Sequence, residues 1–177
     1  MPVPTDAWVQ ITAATSPSFS RDGTRIFHLR GAGLPQVWAM DLDGGNATQL
    51  SHHGEKVAML RRSPADDRLI WGIDAGGDER QQFWIKEPDG EPRALTSALE
   101  VIHDFGAWSP DGARIAYAAN DRDERIFDVC VMELATGATT RLLEGAGIMK
   151  ATAWSPDGAT LAVLHDHSSS DERLILL

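Results

Sequence analysis

Two histidines flank an aspartate at His165-Asp166-His167, and a second pair stands at His52-His53. On a strand the outer two of the first set would share a face, which is how a zinc site begins. Such a site needs three or four convergent ligands with a supporting shell, and the sequence supplies no others. The histidines are read as solvated loop residues, and no metal or cofactor is expected. Aspartates before glycine or in Asp-Gly turns (Asp22, Asp43, Asp89, Asp111, Asp157) lack the clustered oxygen ligands of a calcium loop. Two charged stretches, "GGDERQQ" and "NDRDER", mix carboxylates with arginines. Asp78, Glu79 and Arg80 in the first are candidate substrate-gating residues; self-paired surface charge explains them as well. Serine, histidine and aspartate are abundant, but the Gly-x-Ser-x-Gly elbow that exposes a nucleophile is absent. No catalytic residue is assigned.

Bulk properties narrow the partners. The 177 residues carry 16 Lys plus Arg against 26 Asp plus Glu, a formal net charge of -10. Phosphate backbones and anionic membrane surfaces need clustered positive charge, so neither nucleic acid nor membrane is an expected partner. Cys130 is the single cysteine, which excludes an intrachain disulfide and a thiolate metal cluster. The N-terminal "MPVPTDAWVQ" has no basic region leading into an apolar stretch, and no apolar run approaches the ~20 residues of a spanning helix. The expected location is cytoplasmic. The acceptor pattern Asn46-Ala47-Thr48 is given no meaning in a chain without a visible export signal.

The elements that would position these residues are announced by a repeated phrase. "AWSPDG" followed by an apolar run occurs at Ala107 and again at Ala153, and weaker copies lie in "FSRDGTRIFHL" and "RSPADDRLIWG". The anchor serines Ser20, Ser63, Ser109 and Ser155 recur at intervals of 43, 46 and 46 residues. Ser-Pro-Asp-Gly suits a type I turn with a left-handed closing glycine. Asp66 replaces that glycine in the second copy, and aspartate tolerates the left-handed region better than most residues.

The runs after each turn ("IFHL", "LIWG", "IAYA", "LAVL") are short and apolar on both faces, which predicts strands buried on both sides. A second set follows at "QVWAMDL", "QFWIKE", "DVCVMEL" and "RLILL", then short strands at "ATQL", "PRALT" and "TTRLL". With the strand before each anchor, each unit has four. Length variation falls in the connections "RGAGLP", "DAGGDERQ" and "ANDRDERIF", which are expected to be loops. Repeated four-stranded units of ~40–50 residues are the sequence form of β-propeller blades. The predicted fold is all-β: a partial β-propeller of about three and a half antiparallel blades over 1–177, with units at 11–51, 57–97, 103–144 and 150–177. Phe19, Trp108 and Trp154, each just before an anchor, are expected between neighbouring blades.

The Trp-Ser-Pro-Asp-Gly units resemble TolB-like (PD40) repeats. With "GLPQVWAMDLDGG", "DAGGDERQQFWI", "FGAWSPDGARIAYAANDRD" and "FDVCVMEL", the chain resembles more closely still the N-terminal propeller of prolyl-oligopeptidase-family serine peptidases. The resemblance is especially to bacterial acylaminoacyl-peptidase and dipeptidyl-aminopeptidase-like members. The resemblance implies a non-catalytic cap that limits which peptide substrates reach a C-terminal α/β-hydrolase domain of the same polypeptide. A TolB-like interaction scaffold is the alternative, and a homo-oligomer that completes the ring is a third arrangement. Only 22 residues follow Ser155, fewer than earlier units need to reach their turn glycine. The expectation is an N-terminal fragment of a longer polypeptide, without its hydrolase domain.

Overall fold

A computed structural model of the chain describes residues 13–31, 33–168 and 171–177. The first two residues of the first expected unit and the side chain of His167 lie outside them. Every element among the described residues is a strand. Four antiparallel units follow in chain order. The first contains β1 (Ala13–Phe19), β2 (Arg25–Gly31), β3 (Gln36–Asp41) and β4 (Thr48–Gln49). The second contains β5 (Val57–Arg62), β6 (Leu69–Ile73), β7 (Gln82–Lys86) and β8 (Arg93–Ala94). The third contains β9 (His103–Trp108), β10 (Arg114–Asp123), β11 (Ile126–Glu133) and β12 (Thr139–Leu143). The fourth has three strands, β13 (Ile148–Trp154), β14 (Leu161–Ser168) and β15 (Asp171–Leu176).

Within a unit each strand pairs with the next, and first strands of successive units approach one another, β1 beside β5 and β9 beside β13. These are blades of a partial β-propeller, and the ring is not closed. One parallel bridge, Phe127 to Ile148, joins the third and fourth blades.

The period-two alternation of a strand explains why the core is divided into layers between blades. Leu69 and Trp71 of β6 face the first blade, packing with Phe27, Leu29, Val37 and Ala39. Ile70, between them, turns to the third blade and meets Ile115, Tyr117 and Cys130. In β11 the neighbours of Cys130, Val129 and Val131, point the other way, onto Met149, Leu161 and Val163. Burying a side chain of this size contributes about 1.5–3 kcal/mol, so each layer is a substantial term. Phe19 departs from the expected packing. It is 61% exposed, because no blade lies against that face of β1 among the described residues.

The serine turns are built alike. In each, the serine N–H donates to the carbonyl five residues on: Ser20 to Arg25, Ser63 to Arg68, Ser109 to Arg114 and Ser155 to Thr160. The closing glycines Gly23, Gly112 and Gly158 have φ of +71°, +68° and +68°. Asp66 corrects the reading of the second turn, since its φ is not positive. Instead its carboxylate accepts the N–H of Arg68 at 3.0 Å, so a side-chain bond replaces the backbone conformation glycine would supply.

Arginines five residues after an anchor fasten one blade to the next turn. Arg68 donates to the Gly112 carbonyl at 2.7 Å and lies over Trp108; Arg114 donates to the Gly158 carbonyl at 3.0 Å and lies 4.5 Å from the Trp154 ring centroid. The second blade has Arg62 where the third and fourth have tryptophan and the first has Phe19, and this residue donates to the Asp66 carbonyl of its own turn at 2.7 Å. The link from the first blade comes from Arg21, bonded to the Ala65 carbonyl and, through its N–H, to Asp67.

Blade 3 holds a second departure from expectation. The stretch "ANDRDERIF" is almost wholly strand, as β10 and β11 run on as a hairpin arm with Asp123 paired to Ile126. Asp128 supports the arm: it is fully buried and accepts 2.7 Å bonds from Arg122 Nε and Nη2.

Two substitutions test this packing. A Cβ at Gly106 would collide with the carbonyl of Ala151 on the adjacent first strand. Gly106→Ala is expected to cost about 1–3 kcal/mol in urea unfolding, as overpacking against backbone does. Arg114→Met removes a hydrogen bond and a cation–π contact together, for an expected loss of about 1–2 kcal/mol by the same measurement.

Candidate functional site

The two ends of the blade stack differ in how their polar groups are used. At the serine-turn end the serines and aspartates of the first, third and fourth turns are satisfied within their own hairpins. Ser20, Ser109 and Ser155 donate to Asp22, Asp111 and Asp157 at 2.7, 2.5 and 2.5 Å, and each carboxylate also accepts a backbone N–H two residues on. The serine hydroxyl holds the Asp22 carboxyl down to about 2, and lowers Asp111 and Asp157 in the same direction. These aspartates are turn caps. A cavity of about 240 Å³ between the first two blades at this end includes Lys86, whose ammonium is already taken up by the carbonyls of Glu87, Pro88 and Gly90.

The opposite end carries the connections from second to third strand and from each blade to the next. Two adjoining clefts open there, on either side of the β6–β7 loop. The larger, about 470 Å³, is bordered by Lys56, Asp74, Glu79, Asp104, Phe127 and Ile148. The smaller, about 260 Å³, is bordered by Asp78, Arg80, Gln82, Leu99 and Glu100. Of the three candidate gating residues, Glu79 therefore faces one cleft, and Asp78 and Arg80 the other. Glu79 is in the left-handed region at φ +63°, and Asp78 caps the turn by accepting the Arg80 N–H at 3.0 Å. Arg80 pairs outside its own stretch, with Glu100 at 3.4 Å.

Asp74 is the residue that composition and repeat spacing did not single out. It follows β6 directly, is 4% exposed and borders both clefts. The signal that could have found it is its position: a carboxylate ending an otherwise apolar two-sided strand.

The first residue of each third strand, or its equivalent, ties the loop end together, and these too went unread in the sequence. Gln36 bonds the carbonyls of His53 and Glu55, and Gln82 those of Ala98 and Val101. Asp128 occupies the corresponding place in blade 3 and accepts the Gly145 N–H.

The histidine readings need correcting. His53 is not a solvated loop residue: it accepts the Trp71 indole N–H at 2.9 Å and stands edge-on to Trp84 at 4.7 Å. His165 lies in β14, with Nε2 at 2.6 Å from the Ala146 carbonyl oxygen. Among the described residues, no three His, Cys, Asp or Glu side chains converge as metal ligands. Burial pushes the Cys130 thiol up to about 11, leaving it protonated at neutral pH.

No family model matches the chain. Among curated proteins it is 29% identical over 143 residues to the uncharacterised protein Atu1656 of Agrobacterium fabrum, covering 71% of this chain and 45% of that one. It is 26% identical over 112 residues to the uncharacterised peptidase YuxL of Bacillus subtilis, covering 59% and 17%. The chain thus spans less than half the length of the curated relatives it matches. Among solved structures, a puromycin-hydrolysing peptidase of Mycobacterium tuberculosis superposes with a TM-score of 0.74 at 18% identity, covering 93% of this chain and 29% of that one. TolB of Acinetobacter baumannii gives 0.66 at 16% identity, covering 93% and 40%. An oligogalacturonate lyase in complex with manganese gives 0.73 at 14% identity, covering 99% and 52%.

Burial lowers the pKa of His28, His53 and His103, so each resists protonation when folded. A base with a depressed folded value stabilises the fold above its ordinary value of 6.5 and loses that contribution as the pH falls below it. The depressed carboxylates lose theirs only below about 3.8. The urea midpoint is therefore expected to fall between pH 7.5 and 5.5, and to fall less in His103→Gln. With its layered two-sided sheets and matching neighbours, the chain is a partial β-propeller of the fold that TolB and the puromycin-hydrolysing peptidase share.

Proposed function

We propose that this chain is the non-catalytic propeller segment of a prolyl-oligopeptidase-type serine peptidase. It gates peptide access to an α/β-hydrolase domain of the same cytoplasmic polypeptide and supports that domain. The observation that carries this reading is the sequence match to the peptidase YuxL, a stronger signal than shared fold at lower identity. The division of the two ends supports it. Serines and aspartates at the turn end are tied up in their own hairpins, whereas the loop end presents open clefts edged with charge. The hydrolase domain would supply nucleophile, base and oxyanion donors; this chain supplies the restriction on what reaches them.

A TolB-like interaction scaffold with no peptidase activity is the second reading, favoured by the TolB superpositions. The downstream coding sequence separates the two: a Gly-x-Ser-x-Gly elbow supports the peptidase, and further blades followed by a stop codon support the scaffold. The gating role is tested in the full-length product on a series of peptides of increasing length. Replacing Asp78, Glu79 and Arg80 together by alanine is expected to change KM and the length preference at nearly constant kcat. An unchanged length profile in that variant overturns the gating assignment.

A further inference from the structure

Asp74 has an unsatisfied requirement. Its side chain is 3% exposed, its Oδ2 lies 3.9 Å from Lys56 Nζ, and its Oδ1 has no hydrogen-bond partner among the described residues. A buried carboxylate oxygen without a donor is costly, and 3.9 Å is too long for the lysine to serve as one. Lys56 is itself half exposed, so it borders the larger cleft without filling it. Three carboxylates edge that cleft, Asp74, Glu79 and Asp104, with Lys56 the one ammonium in the lining; Lys150 and Arg61 act on Asp104 from outside it. The rest of the lining is Gln81 and His103 together with the apolar Ala58, Ile102, Phe127 and Ile148.

We propose that the larger cleft is a guanidinium site, taking the side chain of an arginine presented by a polypeptide ligand. The charge excess calls for a cation, and the absence of converging ligands among the described residues disfavours a metal ion. Between organic cations the apolar part of the lining, with the Phe127 ring, decides. A guanidinium is flat, weakly hydrated and able to stack on an aromatic ring, whereas an ammonium is compact and strongly hydrated. About 470 Å³ accommodates the side chain with its methylene stem against Ile102 and Ile148. The walls are set before a ligand arrives. Phe127 is pinned through its N–H to the Gly147 carbonyl at 3.0 Å, and His103 Nδ1 donates to the Gln81 carbonyl at 3.1 Å. Preorganisation of this kind lowers the ordering cost of binding. In the unliganded protein Lys56 acts as a weak internal competitor for Asp74.

The experiment is an NMR titration of the 177-residue chain with four capped probes. N-acetyl-arginine amide carries the guanidinium, N-acetyl-citrulline amide is its neutral isostere, N-acetyl-lysine amide carries an ammonium, and glycine amide offers only a free α-ammonium. The arginine probe is expected to shift the amides of Asp74, Glu79 and Phe127 saturably, at least tenfold more tightly than the other three. Asp74→Asn is expected to weaken it at least tenfold, and Lys56→Met to strengthen it several-fold by removing the competitor. Equal binding of citrulline, lysine or glycine amide overturns the guanidinium assignment, and unaltered arginine binding in Asp74→Asn overturns the anchor. Should Asp74→Asn fail to fold, Lys56→Met and Glu79→Gln decide: the proposal stands only if the first tightens and the second weakens arginine binding. None of these outcomes depends on a peptidase activity, so the peptidase reading and the guanidinium site succeed or fail separately.

Discussion

Sheets that are apolar on both faces cannot stand alone, and that constraint organises this molecule. In β6, Leu69, Ile70 and Trp71 are all buried, yet they point alternately toward the first and third blades. Removing either neighbour would expose half of a strand that has no polar face to offer water. Stability therefore resides between blades, and the units are cooperative in the nearest-neighbour sense of repeat proteins. The outer faces of the end blades show the same rule from the other side: Phe19, Leu174 and Leu176 are each more than 60% exposed.

Apolar layers set the spacing of blades but not their register, because hydrophobic contact is non-directional. Directional contacts supply it. Arg68 and Arg114 each reach a carbonyl in the next turn while lying over the tryptophan that precedes it, so one side chain fixes both distance and rotation. Arg62 shows that the bond matters more than its source. There the guanidinium belongs to the receiving blade, the carbonyl of the turn is still satisfied, and Arg21 makes the crossing from the first blade.

What could be read from the sequence was whatever the repeat states several times. Strand order, turn positions and two-sided burial follow from four copies of one pattern, and the closing glycines follow from backbone sterics. The misreadings fall where one copy solves a shared problem differently. Asp66 keeps its turn by accepting the Arg68 N–H rather than by a left-handed backbone, a choice that spacing does not encode. The arm at Asp123 looked like a polar loop because what holds it as strand is Asp128 and Arg122 meeting across a hairpin. His53 was unreadable for a related reason: its partners Trp71 and Trp84 lie one strand and one hairpin away. Asp74 was hidden by its neighbours, since a single carboxylate next to a glycine-rich stretch reads as the start of a loop.

The same constraint says where function can reside. At the turn end, hydroxyl, carboxylate and backbone N–H groups are joined in closed local circuits, and breaking one to hold a ligand would unmake the hairpin. At the loop end the obligations fall on Gln36, Gln82 and Asp128, which hold the connections from beneath. The loop surface above them is left free to vary in length and charge. A fold arranged this way can serve proteins as different as a puromycin-hydrolysing peptidase, TolB and an oligogalacturonate lyase while its layers stay alike. Specific chemistry then has to be sought in polar groups that the scaffold does not need. Asp74 is such a group: the strand it follows is secured by its buried apolar residues and by its pairing with β5 and β7, and its Oδ1 makes no hydrogen bond within the fold.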